Sequence, residues 1–188
     1  MTKAAETAVI AALPILGEGR TDRLLAWLHR TLAARGLHVA GALRTLPPDG
    51  DAAHCDTVLR VLPNGPEMRI TQDLGPGSAA CRLDAGAIEA VAGLAGAELD
   101  RAGGDIVLLN KFGVSEAEGR GFRALIGAAV ARGIPVMIGV SATHRAAFDA
   151  FCGGMAVEVP ASERPALEWC LAAVGRADEA AAAPSRRS

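Results

Sequence analysis

Two short apolar runs constrain this chain more than anything else in it. Ile106-Val107-Leu108-Leu109 and Ile134-Pro135-Val136-Met137-Ile138-Gly139-Val140 carry no charged or polar side chain. Both are far shorter than the ~20 residues of a membrane-spanning helix, and neither alternates as a half-exposed strand does. A strand of this kind is covered on both faces, which is the habit of a parallel sheet with helices above and below. A third run, Thr7 to Ile15 (TAVIAALPI), reads as another buried strand, and LHVAGALRTL as a fourth.

Helical spacing fills the intervals. Thr21 to Arg35 places Leu24, Leu25, Leu28 and Leu32 on one stripe, with Gly36 positioned as a left-handed end. Asp84 is an N-cap for a helix running to about Arg101, its buried stripe being Ile88, Val91, Leu94, Ala95 and Leu99. Helices are also predicted over Gly119 to Arg132, about Thr143 to Phe151, and Glu163 to Val174, with an edge strand at Met155 to Val159. Between Val58 and Ile70 the pattern alternates loosely around Asn64-Gly65, which reads as an antiparallel hairpin. The expectation is an α/β fold: a mostly parallel sheet with helices on both faces and a β-hairpin insertion. A single domain is expected over 1–175, with an alanine-rich, disordered tail over 176–188.

Composition narrows the function classes. The 188 residues are 51% apolar and 21% charged, with a formal net charge of −2. That balance gives no global attraction for nucleic acid or anionic lipid. Aromatic residues are 3% and tyrosine is absent, which argues against stacking platforms for single strands. Glu6 and Pro14 interrupt any signal-peptide pattern, and no stretch predicts membrane insertion. The cysteines, Cys55, Cys81, Cys152 and Cys170, form no CxxC pair and read as reduced thiols of a cytoplasmic protein. His54, Cys55 and Cys81 could form a soft-metal site, but the adjacent His54 and Cys55 would point apart on a strand, leaving no third ligand evident, and thiols filling space are the simpler reading.

The polar edge lies after the buried strands. A strand, a glycine turn and a helix at the chain start is the layout of a phosphate loop, in which N–H groups and the helix N-terminus favour an anion. The pattern GxxxxGK[ST] is departed from here: Pro14-Ile-Leu-Gly-Glu-Gly19-Arg20-Thr21 has proline for the first glycine and arginine for lysine. Arg20 could grip an oxyanion. Thr21 could ligate a metal or cap the helix, and Gly17 and Gly19 could simply make a tight turn. At the end of Ile106–Leu109, where a nucleotidase places acidic residues for magnesium and water, the chain has Asn110 and Lys111, with Glu116 and Arg120 following. Arg82 is a further candidate for an oxyanion, or the partner of Asp84 in a salt bridge. His144 reads as a surface or cap residue.

The order of these parts resembles the small P-loop nucleoside-triphosphatase family, whose second catalytic strand ends Asp-Glu-x-Gly-x-x-Glu. The chain keeps Gly113 and Glu116 of that pattern and replaces the Asp-Glu pair by Asn110-Lys111. CRLD (Cys81 to Asp84), LNKFGVSEAEGRGFR (Leu109 to Arg123) and the PVMIGV that follows are similar to a bacterial domain family of unknown function linked to molybdate ABC transport. These resemblances imply a P-loop-NTPase-like fold and a role near molybdenum uptake or use.

The leading expectation is a binder of a small anionic ligand: nucleotide, phosphate or a molybdate-type oxyanion. One wall would be Gly17, Gly19, Arg20 and Thr21, and the other Arg82, Asn110, Lys111, Glu116 and Arg120. Magnesium would accompany a nucleotide, and molybdenum-related proteins are the expected partners. The alternatives are an active nucleoside triphosphatase using Arg20 and Glu116, and a non-catalytic regulatory module that uses the same surface for a protein partner.

Overall fold

The computed structural model describes residues 9–17, 19–46, 57–72 and 82–182. It is an α/β fold, as expected. Seven strands form the main sheet in the order β4-β3-β2-β7-β8-β1-β9. The parallel part consists of β1 (Ile10–Pro14), β2 (Val39–Arg44), β7 (Ile106–Phe112), β8 (Val136–Val140) and β9 (Ala156–Glu158). The hairpin expected between Val58 and Ile70 is present as β3 (Val58–Leu62) and β4 (Glu67–Arg69), added antiparallel beyond β2. A separate two-stranded ribbon pairs β5 (Thr71–Gln72) with β6 (Arg82–Leu83).

The continuous apolar strands have the expected cause. Ile106 and Leu108 point into one core, packed by α1 (Arg20–Ala33) and α6 (Glu163–Ala182), while Val107 and Leu109 point into the other. The second core is closed by α2 (Ala85–Ala102), α4 (Arg123–Ala131) and α5 (Arg145–Cys152). With no solvent face, neither strand has a position where a polar residue would be favoured.

Asp84 caps α2 as read from the sequence, its Oδ1 accepting from the Ala87 N–H at 3.0 Å. Three boundaries differ. The helix expected from Gly119 begins only at Arg123, as α4, because Gly119 and Gly121 take positive φ of 90° and 61°; a single turn not foreseen, α3 (Val114–Ala117), precedes them. The first helix is capped by Gly19 in the left-handed region, not by Thr21. The last helix continues to Ala182, so the described part of the expected disordered tail is helical.

Among the described residues no helix is long and apolar enough to cross a membrane. His54, Cys55 and Cys81, the residues of the considered soft-metal site, lie outside the described residues, and among those described no cluster suits a metal ion.

Cys152 and Cys170 are buried core thiols. Burial pushes Cys152 up to about 11 from an ordinary value of 9.0, with Asp149 adding to the effect and Arg145 opposing it. Burial pushes Cys170 up to about 12. The folded state therefore keeps these protons after the unfolded chain has lost them. The stability they contribute is fully present below about pH 9 and falls as pH rises towards the folded values. Native protein treated with iodoacetamide at pH 8 should leave both residues unmodified in peptide mass spectra, while urea-unfolded protein is alkylated at both.

Candidate functional site

The carboxyl ends of β1, β2, β7 and β8 lie at one edge of the sheet, the edge at which open α/β sheets bind ligands. A cavity of about 390 Å³ opens there, between the turn after β1, the ends of β2 and β7, α3 and the start of α2. That is within the size range of small-molecule sites. Gly17, Gly19, Asn110, Lys111 and Glu116 all line it.

The first turn is held together by one hydroxyl. Thr21 is only 2% exposed, and its Oγ1 donates to the Pro14 carbonyl at 3.0 Å while accepting from the Leu16 N–H at 2.9 Å. The side chain thus ties the start of α1 back to the end of β1. It does not cap the helix, which corrects that expectation, and it is not among the residues lining the cavity. Arg20 is exposed, with its Nε 3.4 Å from the Gly17 carbonyl, and also lies outside the cavity lining. Thr21→Val removes the donor and the acceptor together and should cost about 1–3 kcal/mol in urea unfolding. Thr21→Ser should restore most of it.

The second wall depends on a β-bulge. Leu109 pairs with Ile138 and Phe112 with Val140, so Asn110 and Lys111 together stand opposite Gly139. The extra residue shifts the parity of the strand: Phe112 enters the same core as Leu109, where it meets Phe148 edge-on at 5.3 Å. Consecutive residues of a regular strand point to opposite faces, but across this bulge both Asn110 and Lys111 reach the cavity. Gly139 makes room for the bend, since a Cβ there would lie 2.4 Å from the Asn110 carbonyl oxygen.

The Asn110 Oδ1 accepts from the Arg44 N–H at 3.1 Å and continues the β2–β7 pairing by one side-chain bond. Lys111 is exposed, and its ammonium makes no hydrogen bond or ion pair with any described residue.

Glu116 lines the cavity and is engaged by the backbone as well. It is 3% exposed; Oε2 accepts from the Gly113 N–H at 2.8 Å and Oε1 from the Phe122 N–H at 3.1 Å. Both oxygens therefore secure the loop that carries α3. Gly121 is required beside it, because a Cβ would stand 2.2 Å from Oε1 and φ is 61°. Arg120 points away, paired with Glu118 on the surface, and does not line the cavity. Arg82 is placed in β6 by its backbone; its side chain lies outside the described residues.

Three titratable lining residues were not foreseen. Arg44, the last residue of β2, has Nη1 3.1 Å from Asp22 Oδ2, while its Nε is buried without a partner. Asp22 lines the cavity from the first turn of α1. His144, which follows β8, also lines it, with Nδ1 3.0 Å from Ser141 Oγ. The signal for Arg44 was its position at the carboxyl end of a parallel strand. Charges within the cavity are thus largely satisfied: Asp22 faces Arg44, Glu116 serves backbone donors, and Lys111 is left as the unpaired cation.

Fold and cavity together define a P-loop-NTPase-like α/β protein with a cavity at the carboxyl ends of its parallel strands. The chain belongs to the family described as "Protein of unknown function (DUF2478)", which matches residues 10–169. It is also 33% identical over 165 residues to the Molybdenum import ATP-binding protein ModC 2 of Bradyrhizobium diazoefficiens. That similarity covers 85% of this chain but 18% of the relative, so the activity of the whole relative is not assigned to the shared segment. No solved structure matches the chain.

Proposed function

We propose that this protein binds a small anionic ligand in the cavity at the strand ends: a nucleotide, phosphate or a molybdate-type oxyanion. The observation that carries this reading is the bulge in β7, which turns Asn110 and Lys111 to the same cavity and leaves the Lys111 ammonium without a partner. The exposed Lys111 ammonium brings three donors and a full positive charge to the rim of the cavity, free for an incoming anion. The Asn110 amide nitrogen, whose companion oxygen is engaged by Arg44, adds a neutral donor beside it. A place in molybdenum uptake or use, in the cytoplasm and alongside molybdenum-related proteins, is part of the proposal. Its support is the similarity to the molybdenum import protein.

Hydrolysis is the less favoured reading. A nucleoside triphosphatase needs a magnesium ligand and a group that orients water. The Thr21 hydroxyl and the Glu116 carboxylate are both held by backbone groups, and the Asp22 carboxylate is paired with Arg44. If the anion is a nucleotide, magnesium would arrive on its phosphates.

Thermal-shift titration with ATP, GTP, phosphate, molybdate and tungstate tests the proposal. A ligand at a hundred times its Kd stabilises the folded state by about 2.7 kcal/mol, a shift that is easily read. Lys111→Ala should abolish it, and Arg20→Ala should leave it intact. If none of these anions shifts the transition at millimolar concentration, the surface serves some other purpose, such as a protein contact.

A further inference from the structure

The cavity has two unlike sides, and only one of them concerns an anion. Its charged groups come mostly from the first turn of α1 and the ends of β2 and β7, with Glu116 of α3 and His144 after β8, while Thr57 and Ser115 add hydroxyls. Its remaining wall is apolar: Leu59 of β3, Ile70, Ile88 of α2 and Phe122 form a buried floor at the top of one core. Exposed apolar residues continue that wall to the rim. The large hydrophobic residues exposed on the described surface number six, and three of them, Ile15 at 36%, Leu83 at 51% and Val114 at 53%, line this one cavity. Scattered exposed hydrophobics need no explanation, but a cluster around the mouth of a site does.

We infer that the ligand is an organic anion: an anionic group held by Lys111 and Asn110, joined to a flat apolar body that lies against Leu83, Val114 and the floor behind them. The inference rests on the anion-binding reading above and narrows it. A bare phosphate or molybdate would occupy the polar side alone and leave the apolar wall in water. A ring attached to the anion removes that wall from water, and the gain grows with the apolar area covered. The cavity, at about 390 Å³, has room for such a body beside the charged group. The arrangement follows the usual pattern of small-molecule sites, which are mostly apolar with a few polar groups fixing orientation.

Calorimetric titration of the full chain with inorganic phosphate, 1-naphthyl phosphate and 1-naphthol separates the possibilities. Naphthyl phosphate should bind roughly tenfold or more tightly than phosphate, from the added apolar burial. Leu83→Ser and Val114→Ser, at positions exposed enough to accept a hydroxyl without unfolding, should each lower that preference several-fold and leave phosphate binding unchanged. Lys111→Ala should weaken both phosphates. Equal affinities for phosphate and naphthyl phosphate would overturn this inference and spare the anion site. A preference that survives both serine variants would overturn the assignment of the ring to this wall. Naphthol binding as tightly as naphthyl phosphate, or no binding of either phosphate, would overturn the anion reading with it.

Discussion

Gly41→Ala is expected to destabilise the protein by about 3 kcal/mol or more, through a steric conflict at the centre of the sheet. A Cβ at this position would stand 2.1 Å from the Leu108 carbonyl oxygen, and the backbone there has φ of 118°, which side chains rarely adopt. Neither strand can move aside cheaply. β7 is paired with β2 on one edge and with β8 on the other, and Leu108 itself is fully buried. For a chain of this size each kcal/mol lowers Tm by about 2–4 °C, so a loss of about 6–12 °C should be seen by differential scanning calorimetry. Gly93→Ala supplies the comparison. Gly93 is exposed within α2, and no atom lies within 4 Å of its would-be Cβ. There alanine should be neutral or stabilising by about 1 kcal/mol, because glycine is a poor helix former. Equal behaviour of the two variants would mean that β2 and β7 do not approach as closely as described.

Glu116→Ala should cost about 2–4 kcal/mol, since it leaves the buried N–H groups of Gly113 and Phe122 without acceptors. Glu116→Gln keeps one oxygen in place and turns an amino group towards the other donor, so its cost should fall between wild type and alanine. The pair of variants also distinguishes a clamp from a ligand. A carboxylate that held magnesium or oriented water would give, on conversion to glutamine, lost binding with little change in stability. A carboxylate that holds the loop gives the reverse order: stability falls first, and anion affinity falls because α3 and the end of β7 are no longer fixed together. Urea unfolding read beside the ligand-induced thermal shift reports both quantities on the same samples. Preserved stability with abolished binding in Glu116→Gln would return Glu116 to the role first expected of it.

The sheet was legible because its evidence is local. Ile106–Leu109 and Val136–Val140 can only be strands covered on both sides, the alternation around Asn64-Gly65 can only make a hairpin, and Asp84 stands where a helix cap must. The site was harder to read because its determinants are relations between distant residues. Nothing in Leu-Asn-Lys-Phe announces a bulge; it becomes evident when Phe112 is found in the same core as Leu109. Arg20-Thr21 looks like the tail of a phosphate loop, yet the hydroxyl is directed back to its own strand by the Pro14 carbonyl. Glu116 occupies the sequence position of a catalytic acid, and the backbone donors that engage it come from both sides of the same short loop. Arg44 and Asp22, 22 residues apart along the chain, meet because β2 ends and α1 begins at the same edge.

The bulge also carries a genetic consequence. Deleting a single residue between Leu109 and Phe112 would leave one residue opposite Gly139 and turn the β7–β8 pairing into a regular ladder, with Phe112 still directed into the core it now fills. Loss of one codon in frame could therefore remove either Asn110 or Lys111 from the cavity and leave the fold intact. Related chains could gain or lose the cationic end of the site by length alone, at a position where most strands tolerate no change of length.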